Sequence, residues 1–262
     1  MPRPVWSGTI SFGMVSIPID LFSATQEKDV RFHQLHKPCG ARVKLQKFCP
    51  VHKEVVPDTE IVKAYEISKG KYVVMEDDDF ASLPIATKHT VTVNSFVKSD
   101  EVDPVYFDRS YYARPEDAGA KPYALLVRAM MEKNVIALAQ ISLRSRESLC
   151  LVRPSSGKLV LATLFYPDEI KMAETEASSQ PKVDEKELKM ATNLIELLEE
   201  PFAPQNFHDE YREALLQRIE AKSNGGQVKA AQEAPVETGQ VVDLMEALKQ
   251  SLQAAKSGRK TG

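Results

Sequence analysis

A change of phase in an alternating pattern constrains the first twenty or so residues. Trp6, Gly8, Ile10 and Phe12 fall on one parity, and Val15, Ile17 and Ile19 on the other, with Gly13 between them. Period two marks a strand with one buried face, and a glycine at the phase change predicts a bulge or bend in that strand. Short β-rich runs follow at 43–45, 61–65, 72–75, 91–97 and 105–107. They are broken by turn clusters such as Ser68-Lys69-Gly70-Lys71 and Asp103-Pro104. A helix is expected over 121–134, with Pro122 tolerated in its first turn, and a single helical turn at 79–83. Runs at 135–143, 148–153 and 158–165 come next, the last two joined by the hairpin sequence Pro154-Ser155-Ser156-Gly157. This spacing predicts mixed β/α content built on an antiparallel barrel or sandwich, and argues against a βαβ sheet.

From residue 172 the character changes. Leu188, Ala191, Leu194, Ile195 and Leu198 recur at helical spacing over 185–199, and Leu215, Leu216 and Ile219 do so over 211–222. Pro201, Phe202, Pro204 and Phe207 form an extended connection between them. Residues 223–240 read as a polar, flexible linker. Over 241–262 a short amphipathic helix is expected, with Asp243 and Glu246 as cap and box partner and Leu244, Leu248 and Leu252 along one face. A basic tail of Lys256, Arg259 and Lys260 follows. A helix that short is marginal alone, so it needs a surface to dock on.

The formal net charge of −3 conceals strong segregation. Residues 30–53 carry Arg31, Lys37, Arg42, Lys44, Lys47 and Lys53 and no acid, whereas 54–119 and 172–224 are net acidic. A block of that kind has its own potential whatever the chain average, although a solvated basic loop reads the same way. No run approaches the ~18 uncharged apolar residues of a membrane span. The N-terminus lacks the apolar core of a signal peptide, and an odd cysteine count of 3 speaks for a reducing cytoplasm.

Catalytic signals are thin. Glycine-rich phosphate loops, HExxH and GxSxG are missing from the sequence. Ser155-x-x-Lys158 and Lys260-Thr261-Gly262 imitate two elements of a penicillin-binding site, but one lies in a hairpin turn and the other at the end of a tail. The acids Glu76 to Asp79 fit the start of a helical turn better than a cation site. His36-x2-Cys39 and Cys49-x2-His52 have the spacing of a tetrahedral Cys2His2 zinc site; the same residues also read as turn residues in a basic hairpin. Cys150 sits in an apolar run and is expected in the core. Arg144 and Arg146, if they continue the strand over 135–143, project from one face and suit phosphate oxygens, or stand solvated at a strand end.

A colinear set of motifs resembles bacterial Ku, the family that binds DNA double-strand-break ends. It begins with Arg3-x2-Trp6-x-Gly8-x-Ile10-x-Phe12-Gly13-x-Val15-x-Ile17-Pro18-x2-Leu21. It continues through Asp58-x-Glu60-Ile61-Val62-Lys63 and Ser68-Lys69-Gly70-Lys71-Tyr72-Val73. Further along are Asp103-Pro104-Val105-Tyr106-Phe107-Asp108-Arg109-Ser110-Tyr111-Tyr112 and Tyr123-Ala124-Leu125-Leu126. Leu143-Arg144-x-Arg146-Glu147 and Tyr166-Pro167-Asp168-Glu169-Ile170 follow, then Asp209-x-Tyr211 and the tail Val242-Asp243-Leu244-Met245-x-Ala247-Leu248. Ala64 departs from the family pattern, which usually has Gly there.

The resemblance implies a Ku-type antiparallel β-barrel core over 1–171, with a basic bridge at about 28–60. A helical C-terminal arm over 172–222 would complete the fold, assembled as a homodimeric ring. It implies sequence-independent binding of linear double-stranded DNA ends and recruitment of an ATP-dependent DNA ligase in non-homologous end joining. The expected protein is no enzyme, needs no cofactor beyond a possible structural zinc at His36, Cys39, Cys49 and His52, touches no membrane, and works in the cytoplasm at the nucleoid. The positions to which phosphate contact carries over are Arg31, Lys37, Arg42, Lys44, Lys47, Lys53, Arg144 and Arg146. Leu244, Leu248 and Leu252 are the candidate ligase contact, with the tail touching DNA as the alternative.

Overall fold

The computed structural model describes residues 3–83, 89–143, 146–171, 183–225 and 244–258, the side chains of 244 and 254–258 excepted. The chain separates into two compact units, Met1–Lys28 with Phe32–Met172, and Asp29–Arg31 with Ala173–Gly262.

The first unit is built on a closed seven-stranded barrel. Its strands are β1 (Trp6–Phe12), β2 (Val15–Ser23), β7 (Thr90–Val97), β8 (Phe107–Pro115), β9 (Ile136–Leu143), β10 (Arg146–Ser155) and β11 (Lys158–Leu164), in the spatial order β1-β2-β8-β11-β10-β9-β7. Six neighbouring pairs are antiparallel, and β1 meets β7 in parallel, Ile10 opposite Val91. Strand direction cannot alternate all the way around a ring with an odd number of members, so one parallel pair is a geometric necessity. Between β2 and β7 lie two small hairpins, β3 (Phe48–Cys49) with β4 (Glu54–Val55) and β5 (Lys63–Ser68) with β6 (Lys71–Met75), and the short helix α1 (Asp77–Ala81).

The phase change at Gly13 proves to be a turn and not a bulge. β1 and β2 are separate strands paired antiparallel, with Phe12 opposite Val15 and Ile10 opposite Ile17. Gly13 takes φ +58 at the first position of the two-residue loop, a conformation that glycine adopts freely. Inward-facing residues of one parity, including Ile10, Ile17, Ile19, Leu21, Ala139, Ile141, Val152 and Leu161, form the main core. Helix α2 (Ala120–Lys133) adds Tyr123, Leu126, Val127 and Met130 to the same cluster. The α2 helix ends where Asn134 takes φ 52 in the left-handed region. Tyr123 is tied in by its hydroxyl, which donates to the Ala113 carbonyl at 2.7 Å and accepts from the Leu159 N–H at 2.6 Å. A smaller cluster of Ile136, Leu151 and Leu164 lies on the opposite parity. A Cβ on Gly8 would run into the His89 carbonyl oxygen and the Trp6 ring, so that position admits only glycine. Cys150 is buried, as anticipated, and burial pushes its thiol pKa far up.

Two expected strands differ. The run at 43–45 forms none, because its side chains face solvent on both sides and the only pairing nearby is the single bridge Leu35–Arg42. The run at 105–107 is a helical turn over Pro104–Tyr106, after which β8 begins.

The second unit contains α3 (Glu185–Leu198), α4 (Glu210–Ser223) and α5 (Leu244–Gly258). Asp184 caps α3 by accepting from the Lys186 N–H at 2.7 Å, and Asp209 caps α4 from the Arg212 N–H at 2.9 Å. Phe202 and Phe207, in the connection between α3 and α4, are 93% and 83% exposed. Most of the 223–240 linker, together with Asp243, Arg259 and Lys260, lies outside the described residues. Among the described residues no helix is long and apolar enough to cross a membrane.

Candidate nucleic-acid interface

From Arg31 to Glu60 no side chain is buried, and only Cys49 and Val56 are even half-covered. Local backbone bonds shape the segment. His36 N–H donates to Ala41 O at 2.8 Å and Val43 N–H to Gln34 O at 2.9 Å, making one narrow turn; β3 and β4, with Val56 N–H on Lys47 O at 2.9 Å, make another.

The two turns share one construction. In the first, Gly40 N–H donates to His36 O at 2.8 Å with Gly40 at φ +68; in the second, Lys53 N–H donates to Cys49 O at 2.9 Å with Lys53 at φ 55. Each brings its His and Cys together, His36 Nδ1 to Cys39 Sγ at 3.0 Å and Cys49 Sγ to His52 Nδ1 at 3.6 Å. With Zn–N near 2.0–2.1 Å and Zn–S near 2.3 Å, the N–S edge of a tetrahedral zinc site is about 3.6 Å. The Cys49–His52 pair stands at that length, and the His36–Cys39 pair is closer than such an edge. Among the described residues no three metal-ligating side chains converge, so the two pairs stand separate.

The basic residues sit on this frame. Lys37 lies inside the first turn, Arg42 faces Leu35 across the isolated bridge, Lys44 follows it, and Lys53 holds the left-handed position of the second turn. These four are exposed and enter no ion pair among the described residues. Lys47 is also exposed but meets Asp58 at 2.8 Å. Arg31 is exposed and falls with the second unit.

Arg146 does not continue β9. That strand stops at Leu143, and Arg146 opens β10 opposite it. Arg144 itself lies outside the described residues. The Arg146 guanidinium donates to Glu169 Oε1 at 2.6 Å, while Glu169 Oε2 accepts the Tyr166 N–H at 2.9 Å. The Tyr166 N–H first, and Arg146 second, hold the Glu169 carboxyl below its usual range. Sequence reasoning missed both counter-charges, Asp58 and Glu169, although each stands in one of the Ku-like motifs. Of the candidate ligase contacts, Leu248 and Leu252 are half-buried on α5, which packs against α3; the Leu244 side chain is not described.

Comparison with known proteins bears on this arrangement. Residues 11–190 match the family model described as the Ku70/Ku80 beta-barrel domain. The chain is 45% identical over 259 residues to the non-homologous end joining protein Ku of Symbiobacterium thermophilum, covering 98% of this chain and 64% of that protein. It is 44% identical to the protein of the same name from Solibacter usitatus, covering 99% of this chain and 97% of that one. The one from Archaeoglobus fulgidus is 38% identical, with 97% and 100% covered. A closed barrel, a basic segment without a core of its own, and likeness along nearly the whole chain lead to one conclusion: this chain belongs to the Ku family.

Proposed function

We propose that the chain is a non-enzymatic clamp that encircles the ends of linear double-stranded DNA as a homodimer and hands them to an ATP-dependent ligase in end joining. The observation that carries this reading is the bridge. Thirty consecutive residues with no buried side chain cannot offset the entropy of their own ordering, so their structure is completed from outside the chain. The exposed cations they carry suit phosphate oxygens, which position a protein on DNA without informing it of sequence.

The case for a second copy rests on apolar surface. The β5–β6 hairpin exposes Tyr65, Ile67, Tyr72, Val73 and Val74, and an isolated two-stranded hairpin is marginal in water. Phe202, Phe207 and Tyr211 are more exposed still. A symmetric pair would bury such patches and present two bridges to one duplex. The two Cys–His pairs suit one structural zinc ion; binding it would draw the two turns together and pin the bridge, with all four ligand positions filled and none left for catalysis. Such a protein acts at the nucleoid.

The test is a competition gel shift with one duplex, as linear fragment and as covalently closed circle, at two salt concentrations. Competition by the linear form alone, weakening steeply with salt, is the expected result. Equal competition by the circle would refute encirclement. Metal analysis of the purified protein tests the zinc, and less than one zinc per chain overturns it.

A further inference from the structure

Helix α5 is 15 residues long, a length at which an isolated helix barely forms in water. It packs against α3, and the half-covered residues of the two helices form matching stripes. On α5 these include Met245, Leu248 and Leu252; on α3 they include Met190, Leu194 and Leu197. A second apolar stripe on α3, formed by Leu188, Ile195 and Leu198, remains 58–66% exposed. Coverage of α3 is therefore confined to one face, and α5 is the element packed there.

We propose that α3 holds α5 in an intrachain latch that masks its leucine face, so that a protein partner taking that face must first compete with α3. This rests on reading α5 as the ligase-contacting segment. The latch suits exchange. Twenty residues, 224–243, join α4 to α5, and a connection of that length keeps α5 at an effective concentration around the millimolar range. A weak helix–helix contact is then mostly closed within the chain yet yields to a micromolar partner. The partner's apparent Kd is its intrinsic Kd divided by the fraction of α5 that is free, so opening the latch tightens binding by the same factor.

Amide hydrogen exchange on the full chain tests the latch. Leu194→Glu with Leu197→Glu places charge on the covered stripe, and Ile195→Glu places the same charge on the open one. The α5 amides are expected to exchange at least about tenfold faster in the double variant than in wild type and to stay slow with Ile195→Glu. Leu194→Ala, which keeps helix propensity, gives a milder version of the test should the charged pair melt α3. Equal exchange in wild type and both Leu194 variants overturns the latch. A cognate ATP-dependent end-joining ligase, titrated onto the same proteins, is expected to bind the double variant more tightly by a factor matching the drop in protection. Unchanged affinity despite that drop overturns the competition. A chain ending at residue 243 separates the two readings: undiminished ligase binding there refutes the ligase role of α5, while the exchange result still decides whether the latch exists.

Discussion

The barrel and the bridge are parts of one chain that solve opposite problems. In the barrel, Ile10, Ile17, Leu21, Ile141, Leu151, Leu159 and Leu161 are fully buried, every strand has two neighbours, and no edge is left open. In the bridge, Phe32, Leu45, Phe48 and Val51 are 59–94% exposed, and the regular structure amounts to one two-residue ladder, one isolated pair and a single helical turn at Asp58–Glu60. The barrel is stabilised by what it excludes from water. The bridge leaves its apolar and charged side chains in water, which is why it carries the proposed DNA contact. A region with charge but no core is therefore the place where function is expected, and the barrel is the platform that holds it.

One substitution made in both regions sharpens the contrast most. Leu161→Ala removes a fully buried side chain from the main core and is expected to cost about 2–5 kcal/mol. Leu45→Ala, at a residue 94% exposed, is expected to change stability by less than about 0.5 kcal/mol. Denaturant titration of the two variants checks this. Equal losses would show that the bridge has a core after all.

Reversing charge in the bridge should do the opposite. Arg42→Glu, Lys44→Glu and Lys47→Glu together should leave the unfolding midpoint almost unmoved, since all three side chains are exposed. Affinity for linear duplex is expected to fall more than about 100-fold. The slope of log K against log salt should flatten by about 0.9 for each phosphate that is no longer neutralised. An unaltered slope would remove the bridge from the interface.

How far the sequence reveals each region follows from the same contrast. The barrel is legible because burial on one face imposes alternation, as along Ile10, Ile17 and Ile19. β8 is the exception. Its run through Asp108, Arg109 and Ser110 is mostly exposed and is a strand because β2 and β11 flank it, which no local pattern encodes. Nor does any residue mark β1 and β7 as parallel; the strand count demands one parallel pair but not which. In the candidate site the cations and the Cys–His spacings are legible as residue types, whereas the partners of Lys47 and Arg146 are tertiary facts. The leucine face of α5 is legible too, but an amphipathic stripe does not name what covers it.

Within the barrel, Tyr123→Phe is expected to cost about 1–3 kcal/mol. It strips a partner from both the Ala113 carbonyl and the Leu159 N–H while leaving the ring in place. Its measured value, set against Leu161→Ala, separates polar from apolar contributions to the platform. A neutral result would mean that water reaches these groups.

The smallest effect expected lies at the Arg146–Glu169 pair, where the barrel carries a candidate phosphate contact. Glu169 engages Arg146 at 2.6 Å, and Arg146 is well exposed, so the pair contributes little to stability but occupies a guanidinium that phosphate could use. Glu169→Gln removes the charge and keeps the shape. It should raise affinity for linear duplex a few-fold and steepen the salt slope by up to about 0.9 per chain. The carboxyl is held below its usual range by the Tyr166 N–H and Arg146. What it adds to folding is thus present above the unfolded-state value and is lost as pH falls through the lower folded one. At neutral pH it is fully ionised, and acidification over the physiological range should not mimic the variant. Binding that tightens between pH 8 and 6.5 in wild type and not in Glu169→Gln would contradict that assignment. Unchanged affinity and slope in the variant would place Arg146 outside the DNA contact and leave the bridge as the interface.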